Sequence, residues 1–157
     1  MAWLSSSGCL DKAPASTIRL QSQSSIRDRD DRILLVQGFH ANRWSFPGGK
    51  VNENETLMKC AAREVMEETG IDIEHRLRPE IYIDRGLGET LRRAYIVEGL
   101  PRTSKLKPTT RNEIEAITWF NVSDLPKHSH DQTPMEKMNV KPLHFLLVMP
   151  FIGLFRH

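Results

Sequence analysis

The 157-residue sequence carries only two cysteines, Cys9 and Cys60. Two thiols cannot build the multi-bridge framework of a small secreted scaffold, and such sparse usage is expected of a reducing compartment. Long hydrophobic runs are also missing. The longest apolar stretch, Leu143 to Phe155, is broken by Pro150 and falls well short of the ~20 residues a helix needs to cross a bilayer. The opening Met-Ala-Trp-Leu-Ser-Ser-Ser has neither a basic region nor an apolar core, so a secretory signal is not expected. Net charge is nearly absent: 22 Lys+Arg against 20 Asp+Glu leave +2, and bulk charge therefore does not announce a polyanion binder. No internal repeat is present. What remains, 39% hydrophobic and 27% charged residues in a chain of this length, is the composition of one soluble globular domain.

Composition divides the chain. Residues 1–31 are rich in serine, poor in aliphatics and close on the charged run Arg27-Asp-Arg-Asp-Asp31, which predicts a flexible lead-in. Within it only Thr17-Ile-Arg-Leu-Gln21 alternates, enough for one edge strand. Residues 32–157 have the texture of a packed domain. Ile33-Leu-Leu-Val36 reads as a buried strand. A helix capped at Asn54 or a near neighbour runs to Thr69, with Gly70 as its left-handed stop. Glu80–Asp84 and Thr90–Val97 read as strands around Gly86-Leu-Gly88, and Glu113–Phe120 as another. A final helix is expected from Pro142 towards Phe155. Strands interleaved with helices give an α/β class. Phe145, Phe151 and Phe155 are expected in the core, with Cys60 as a packed thiol and Trp44 as a packing residue.

The chemistry gathers in Gly49-Lys-Val-Asn-Glu-Asn-Glu55 and Arg63-Glu-Val-Met-Glu-Glu-Thr-Gly-Ile71. Glu64, Glu67 and Glu68 are three and four positions apart, so a helix presents them on one face, where like charges repel by some tenths of a kcal/mol per pair. A solvated acidic face is one reading. A divalent cation accounts better for the crowding, because hard oxygen ligands suit Mg²⁺ or Mn²⁺. Arg63 reaches Glu67 across one helical turn, and Pro47-Gly-Gly49 permits a tight turn that can offer a carbonyl to the same ion.

This stretch resembles the Nudix box: Gly49, then Glu55, then Arg63, Glu64, Val65, Glu67, Glu68, Gly70 and Ile71 fill each fixed position at its spacing. The resemblance extends to the catalytic subunit of mRNA-decapping enzymes. It is carried by Leu34-Leu-Val-Gln-Gly38, Trp44-Ser-Phe-Pro47, Lys107-Pro-Thr-Thr-Arg-Asn-Glu-Ile114 running into Ile117-Thr-Trp-Phe120, and a tail from Leu125-Pro-Lys-His128 to Met149-Pro-Phe-Ile152. It implies a Nudix α/β/α sandwich with a mixed sheet and a loop–helix catalytic motif. It also implies hydrolysis of the 5′ cap pyrophosphate of RNA to 7-methyl-GDP and 5′-monophosphate RNA. In that scheme Glu64, Glu67, Glu68 and the Gly49 carbonyl hold Mg²⁺ or Mn²⁺, Arg63 and Glu55 support them, and Glu68 and Glu113 are catalytic, Glu113 as a general base or metal-linked carboxylate. Capped RNA is the implied partner, with decapping activators in a cytoplasmic setting, RNA granules included and the nucleus left open.

Charge distribution adds a further expectation. From Glu53 to Glu74 seven acidic residues face two basic ones, whereas from Arg92 to Arg111 six basic residues face only Glu98. An acidic pocket beside a basic strip suits a polyphosphate with a longer anionic chain. Lys50, Arg92, Arg93, Lys105, Lys107, Arg111, Lys127, Lys137 and Lys141 are the expected phosphate or RNA contacts, with an RNA-binding helix segment at the C-terminal end. Two departures point elsewhere. Gly48 stands where decapping enzymes commonly have lysine, and the 31 residues ahead of the domain are expected to be too few for that family's helical regulatory domain. Two alternatives follow: a Nudix pyrophosphohydrolase of small nucleotides or inositol pyrophosphates, and a non-catalytic RNA-binding form.

Overall fold

The computed structural model describes residues 19–39, 41–101, 105–108 and 113–155. Its strands are β1 (Arg19–Asp28), β2 (Arg32–Gly38), β3 (Trp44–Ser45), β4 (Gly48–Lys50), β5 (Tyr82–Leu87), β6 (Thr90–Leu100) and β7 (Ile114–Asn121). Its helices are α1 (Leu57–Thr69), α2 (Thr133–Met138) and α3 (Met149–Ile152). The sheet runs β3-β2-β1-β6-β5, with β4 joined to β1 and β7 to β2. β1 and β6 are parallel and the other pairs antiparallel, so the sheet is mixed, as expected. No described helix is long and apolar enough to cross a membrane.

The strand least visible in the sequence sits at the centre. Arg19–Asp28, expected to belong to a flexible lead-in with at most an edge strand, is β1, flanked by β6 on one side and by β2 and β4 on the other. Ser22, Ser24 and Ser25 are fully buried and Gln23 nearly so. Main-chain pairing on both sides holds this strand, with Leu20 and Ile26 as its buried aliphatic residues and serine and glutamine between them, which is why hydrophobic patterning misses it. The charged run becomes the β1–β2 turn. Asp28 accepts from the backbone N–H of Asp30 and Arg32, and Asp31 takes φ 59°, the left-handed conformation that aspartate tolerates in turns. Thr17 and Ile18 lie outside the described residues.

Both faces of the sheet are covered. On one, Leu20, Leu91 and Tyr95 pack with Leu57, Cys60 and Ala61 of α1, and Ile26, Leu34 and Val97 pack with Val65. On the other, Ile33, Leu35 and Ala94 meet Phe46, Phe120, Phe145, Phe151 and Phe155. Phe46 lies edge-on to Phe151 at 5.4 Å and Phe120 to Phe145 at 5.5 Å, the arrangement that aromatic quadrupoles prefer. Trp44 packs edge-on against Phe120. The expected final helix is not continuous. A 3-10 turn at Pro142–Phe145 gives way to α3, only four residues long, because the buried phenylalanines set the path and Pro150 lacks an amide for a longer helix. α2 forms ahead of this turn, in a stretch for which no helix was expected.

Helix α1 follows its sequence closely. Thr56 caps it by accepting from the Lys59 amide, and Gly70 ends it at φ 78°. The Ser22 hydroxyl donates to the Leu57 carbonyl, tying β1 to the first turn of α1. Among the described residues the hydroxyls of Ser24 and Ser25 have no hydrogen-bond partner. A buried hydrogen bond contributes about 1 kcal/mol, whereas a buried unpaired hydroxyl is a penalty. Urea unfolding should therefore rank the alanine variants: Ser22→Ala loses about 1 kcal/mol, while Ser24→Ala and Ser25→Ala are neutral or stabilising.

Candidate active site

Arg63 of α1 spreads its guanidinium across three carboxylates. Its Nε and Nη2 take Glu55 in a bidentate pair at 2.7 and 3.0 Å, and its Nη1 donates to Glu64 at 3.0 Å and to Glu67 at 3.2 Å. Nη2 also donates to the Lys50 carbonyl at 3.3 Å, so one side chain fixes helix, loop and β4 together. The Arg63 hydrogen bond holds the Glu55 carboxyl below its usual range. The expected Arg63–Glu67 contact is present, and Glu55 is the stronger partner. Glu55 and Arg63 lie eight positions apart, a reach the sequence left unread because Glu55 precedes the helix.

Glu68 is different. It is buried, with a single backbone N–H, that of Gly48, donating to Oε2 at 3.3 Å. Burial first, and then the charge of Glu64, push its carboxyl up to about 8. Burial also raises Glu64, with Arg63 opposing and Glu67 adding to the shift. The charge of Glu113 contributes to the rise at both Glu64 and Glu68, so this residue, far off in sequence, stands near the same cluster. Glu113 is exposed, just ahead of β7, and its carbonyl accepts from the Phe39 amide at 3.1 Å.

The glycines of the loop matter through space. A Cβ at Gly49 would strike the Glu64 carboxylate, and one at Gly48 would strike Cα and Cβ of Gln23. The backbone can approach β1 and α1 this closely only without side chains. The Cys60 thiol, buried and pushed up to about 12 by desolvation, donates to the carbonyls of Gly49 and Lys50 at 3.6 and 3.5 Å. Sequence reasoning missed both this thiol's grip on the loop and the Gly48 N–H to Glu68. Neither has a spacing signal, since each joins an element to a loop.

The expected cations scatter. Arg93 is buried, paired with Asp84 through Nε and Nη2 at 2.9 and 3.0 Å, and stacked over Tyr82 at 3.7 Å. It is a structural ion pair, and the expectation of a phosphate contact there is corrected: strand alternation turns it to the face opposite Arg92. Lys50, Lys105 and Lys107 are exposed, and the Lys107 amide bonds to the Thr69 carbonyl at the end of α1. Lys127, Lys137 and Lys141 are exposed around α2. Arg111 lies outside the described residues.

Comparison with known proteins agrees with this geometry. The NUDIX domain family matches residues 24–138. The chain is 36% identical to m7GpppN-mRNA hydrolase dcap-2 of Caenorhabditis elegans over 124 residues, covering 78% of this chain and 15% of that protein. It is 38% identical to mRNA decapping complex subunit 2 of Schizosaccharomyces pombe over 125 residues, covering 78% and 16%. The chain thus spans about a sixth of the length of these relatives. The crystal structure of a MutT NUDIX hydrolase from Burkholderia pseudomallei aligns at a TM-score of 0.54 and 27% identity, covering 76% of this chain and 97% of that one. A family match across most of the described sheet, on a fold whose loop–helix brings Gly49, Glu64 and Glu68 together, shows that the chain belongs to the Nudix family.

Proposed function

We propose that the chain is a metal-dependent pyrophosphohydrolase acting on the 5′ cap of RNA, releasing 7-methyl-GDP and 5′-monophosphate RNA. One observation carries this reading: Glu64 and Glu68 crowd against the Gly48–Gly49 turn with carboxyls raised by burial and by neighbouring carboxylates, Glu67 and Glu113 at Glu64 and Glu64 and Glu113 at Glu68. The names of the relatives supply the substrate.

The donor set fits a hard divalent ion. Among the described residues Glu68 has no cationic partner, and Glu64 shares Arg63 with Glu55 and Glu67. Glu64, Glu67, Glu68 and the Gly49 carbonyl would hold Mg²⁺ or Mn²⁺, which would stabilise developing phosphate charge and acidify the attacking water. Among the described residues no three such side chains already converge at coordinating spacing, and Arg63 donates to Glu64 at 3.0 Å and to Glu67 at 3.2 Å. Arg63 and Glu55 orient the helix face against the loop. Glu113, exposed beside the cluster, would orient or deprotonate the water. Lys105, Lys107, Lys127, Lys137 and Lys141 would meet RNA phosphates electrostatically. Decapping activators are the partners this reading suggests, and the cytoplasm its setting.

A second reading, a pyrophosphohydrolase of small nucleotides, draws on Gly48. Gln23 fills the space in which the lysine of decapping enzymes would start. Comparing capped RNA with free cap dinucleotide separates the two, since the first reading requires preference for the RNA.

In metal-free protein, Glu68 is raised from an ordinary 4.5 to about 8 by folding. A carboxyl raised in the fold contributes stability below its unfolded pKa and loses it as pH rises through the folded one. The melting temperature in chelator should therefore fall between about pH 5 and pH 8.5, and Glu68→Gln should flatten that fall. The same variant should abolish hydrolysis with the fold intact; near-wild-type turnover at saturating Mg²⁺ would remove Glu68 from the ligand set. For Glu113→Gln, kcat on capped RNA should drop on the order of 10²–10⁴-fold, and a change of only a few-fold would leave Glu113 as a surface carboxylate.

A further inference from the structure

Among the described residues, the sheet face turned away from α1 carries cations that form no ion pair. Strand pairing aligns Lys50 of β4 with Gln21 of β1, Gln21 with Arg92 of β6, and Arg92 with Arg85 of β5. With strands about 4.8 Å apart, this row spans about 14 Å. Alternation fixes its face. Gly49 turns to Glu64 on α1, so Lys50 turns away; Leu91 and Tyr95 pack on α1, so Arg92 turns away with Ala94. Arg85 lies on that same side, its Nε donating to the Pro150 carbonyl of α3 at 3.1 Å.

Among the described residues, no carboxylate forms an ion pair with Lys50, Arg85 or Arg92. Arg92 is half-buried, and desolvation alone lowers its guanidinium from the usual range. Its Nε is buried without a hydrogen-bond partner among the described residues. Gln23, two positions along β1 on the same face, is 3% exposed, and its Nε2 is likewise unpartnered. Buried polar groups are ordinarily hydrogen-bonded and buried charges paired. Both orphan atoms here are donors, and they sit in a row of positive charge, so the missing partner is an anion rich in acceptor oxygens.

We infer that this transverse row is a phosphate-binding track, in which Arg92 and Gln23 donate to phosphate oxygens of the substrate portion leading away from Gly49, flanked by Lys50 and Arg85. The track rests on the pyrophosphohydrolase reading and starts beside its site, since Lys50 follows Gly49 directly. It replaces the linear strip of the sequence by a path across four strands, and adds Gln23 and Arg85 to it. The phosphate belongs either to an RNA chain or to a small nucleotide, and both present the same oxygens.

Binding to the full chain in EDTA separates the track from the metal site, with inorganic pyrophosphate and a 5′-monophosphorylated RNA oligonucleotide as probes. Wild type should bind both. Arg92→Leu and Gln23→Leu should each weaken binding, Arg92→Leu by about tenfold or more, as for loss of a charge-assisted hydrogen bond. A larger loss for the oligonucleotide than for pyrophosphate assigns the track to an RNA chain, and equal losses to a small nucleotide. Arg92→Lys, which keeps charge without the fork, should retain part of the affinity. Should Arg92→Leu fail to fold, the exposed Lys50→Gln and the uncharged Gln23→Leu carry the test. Affinities within twofold of wild type for these variants, with an unchanged or raised melting temperature, would overturn the track and leave its donors to internal water. Hydrolysis of capped RNA by wild type is scored separately. Binding without hydrolysis sinks the proposed function and keeps the track, and hydrolysis with unaltered variant binding does the reverse.

Discussion

The guanidinium of Arg63 is the point on which the site depends. Its planar fork takes Glu55 bidentately and leaves one nitrogen to share between Glu64 and Glu67. A lysine ammonium at this position could meet one carboxylate well but could not present the same fork. By also donating to the Lys50 carbonyl, Arg63 ties the loop between β4 and α1 to the helix that follows. The repulsion inherent in a glutamate-rich helix face is thereby unevenly relieved. Glu55 is strongly satisfied, Glu64 and Glu67 partly, and Glu68 hardly at all.

That unevenness needs close packing around the loop. Gly48 lies flush on Gln23 of β1 and Gly49 flush on Glu64 of α1, so β4 is pinched between sheet and helix. The Cys60 thiol fastens the same loop from below through two carbonyls. Burial of Glu68 under this pinch raises its carboxyl, and the turn that buries it also supplies its single backbone N–H. Desolvation and hydrogen bonding thus act on one group in opposite directions, and desolvation wins.

Much of this was legible in the sequence. Helix α1, its glycine stop, the glutamates on one face and the strands β2, β5, β6 and β7 all follow from spacing and punctuation, with bounds shifted by a few residues. Phe145, Phe151 and Phe155 were expected in the core and are buried there. What failed was pattern reading where side chains are not the cause of structure. β1 is held by main-chain pairing on two sides, so serine and glutamine suffice. The final helix breaks because three aromatic anchors and Pro150 outrank local helix propensity. Arg92 and Arg93, adjacent in the chain, part to opposite faces, and only Asp84 and Tyr82, brought beside Arg93 by strand pairing, reveal which one is neutralised.

The parallel pairing of β1 with β6 joins Arg19 to Thr90 and Ser25 to Ile96, partners roughly seventy residues apart. The central strand is completed on that side only by closing this long loop, which costs more entropy than the local β5–β6 hairpin. An unpaired strand of valine and isoleucine would be a template for aggregation. One whose middle reads Gln-Ser-Gln-Ser-Ser has little apolar surface to offer another chain. The composition that conceals β1 from hydrophobic patterning therefore leaves little apolar edge on a sheet in which β6 has yet to pair.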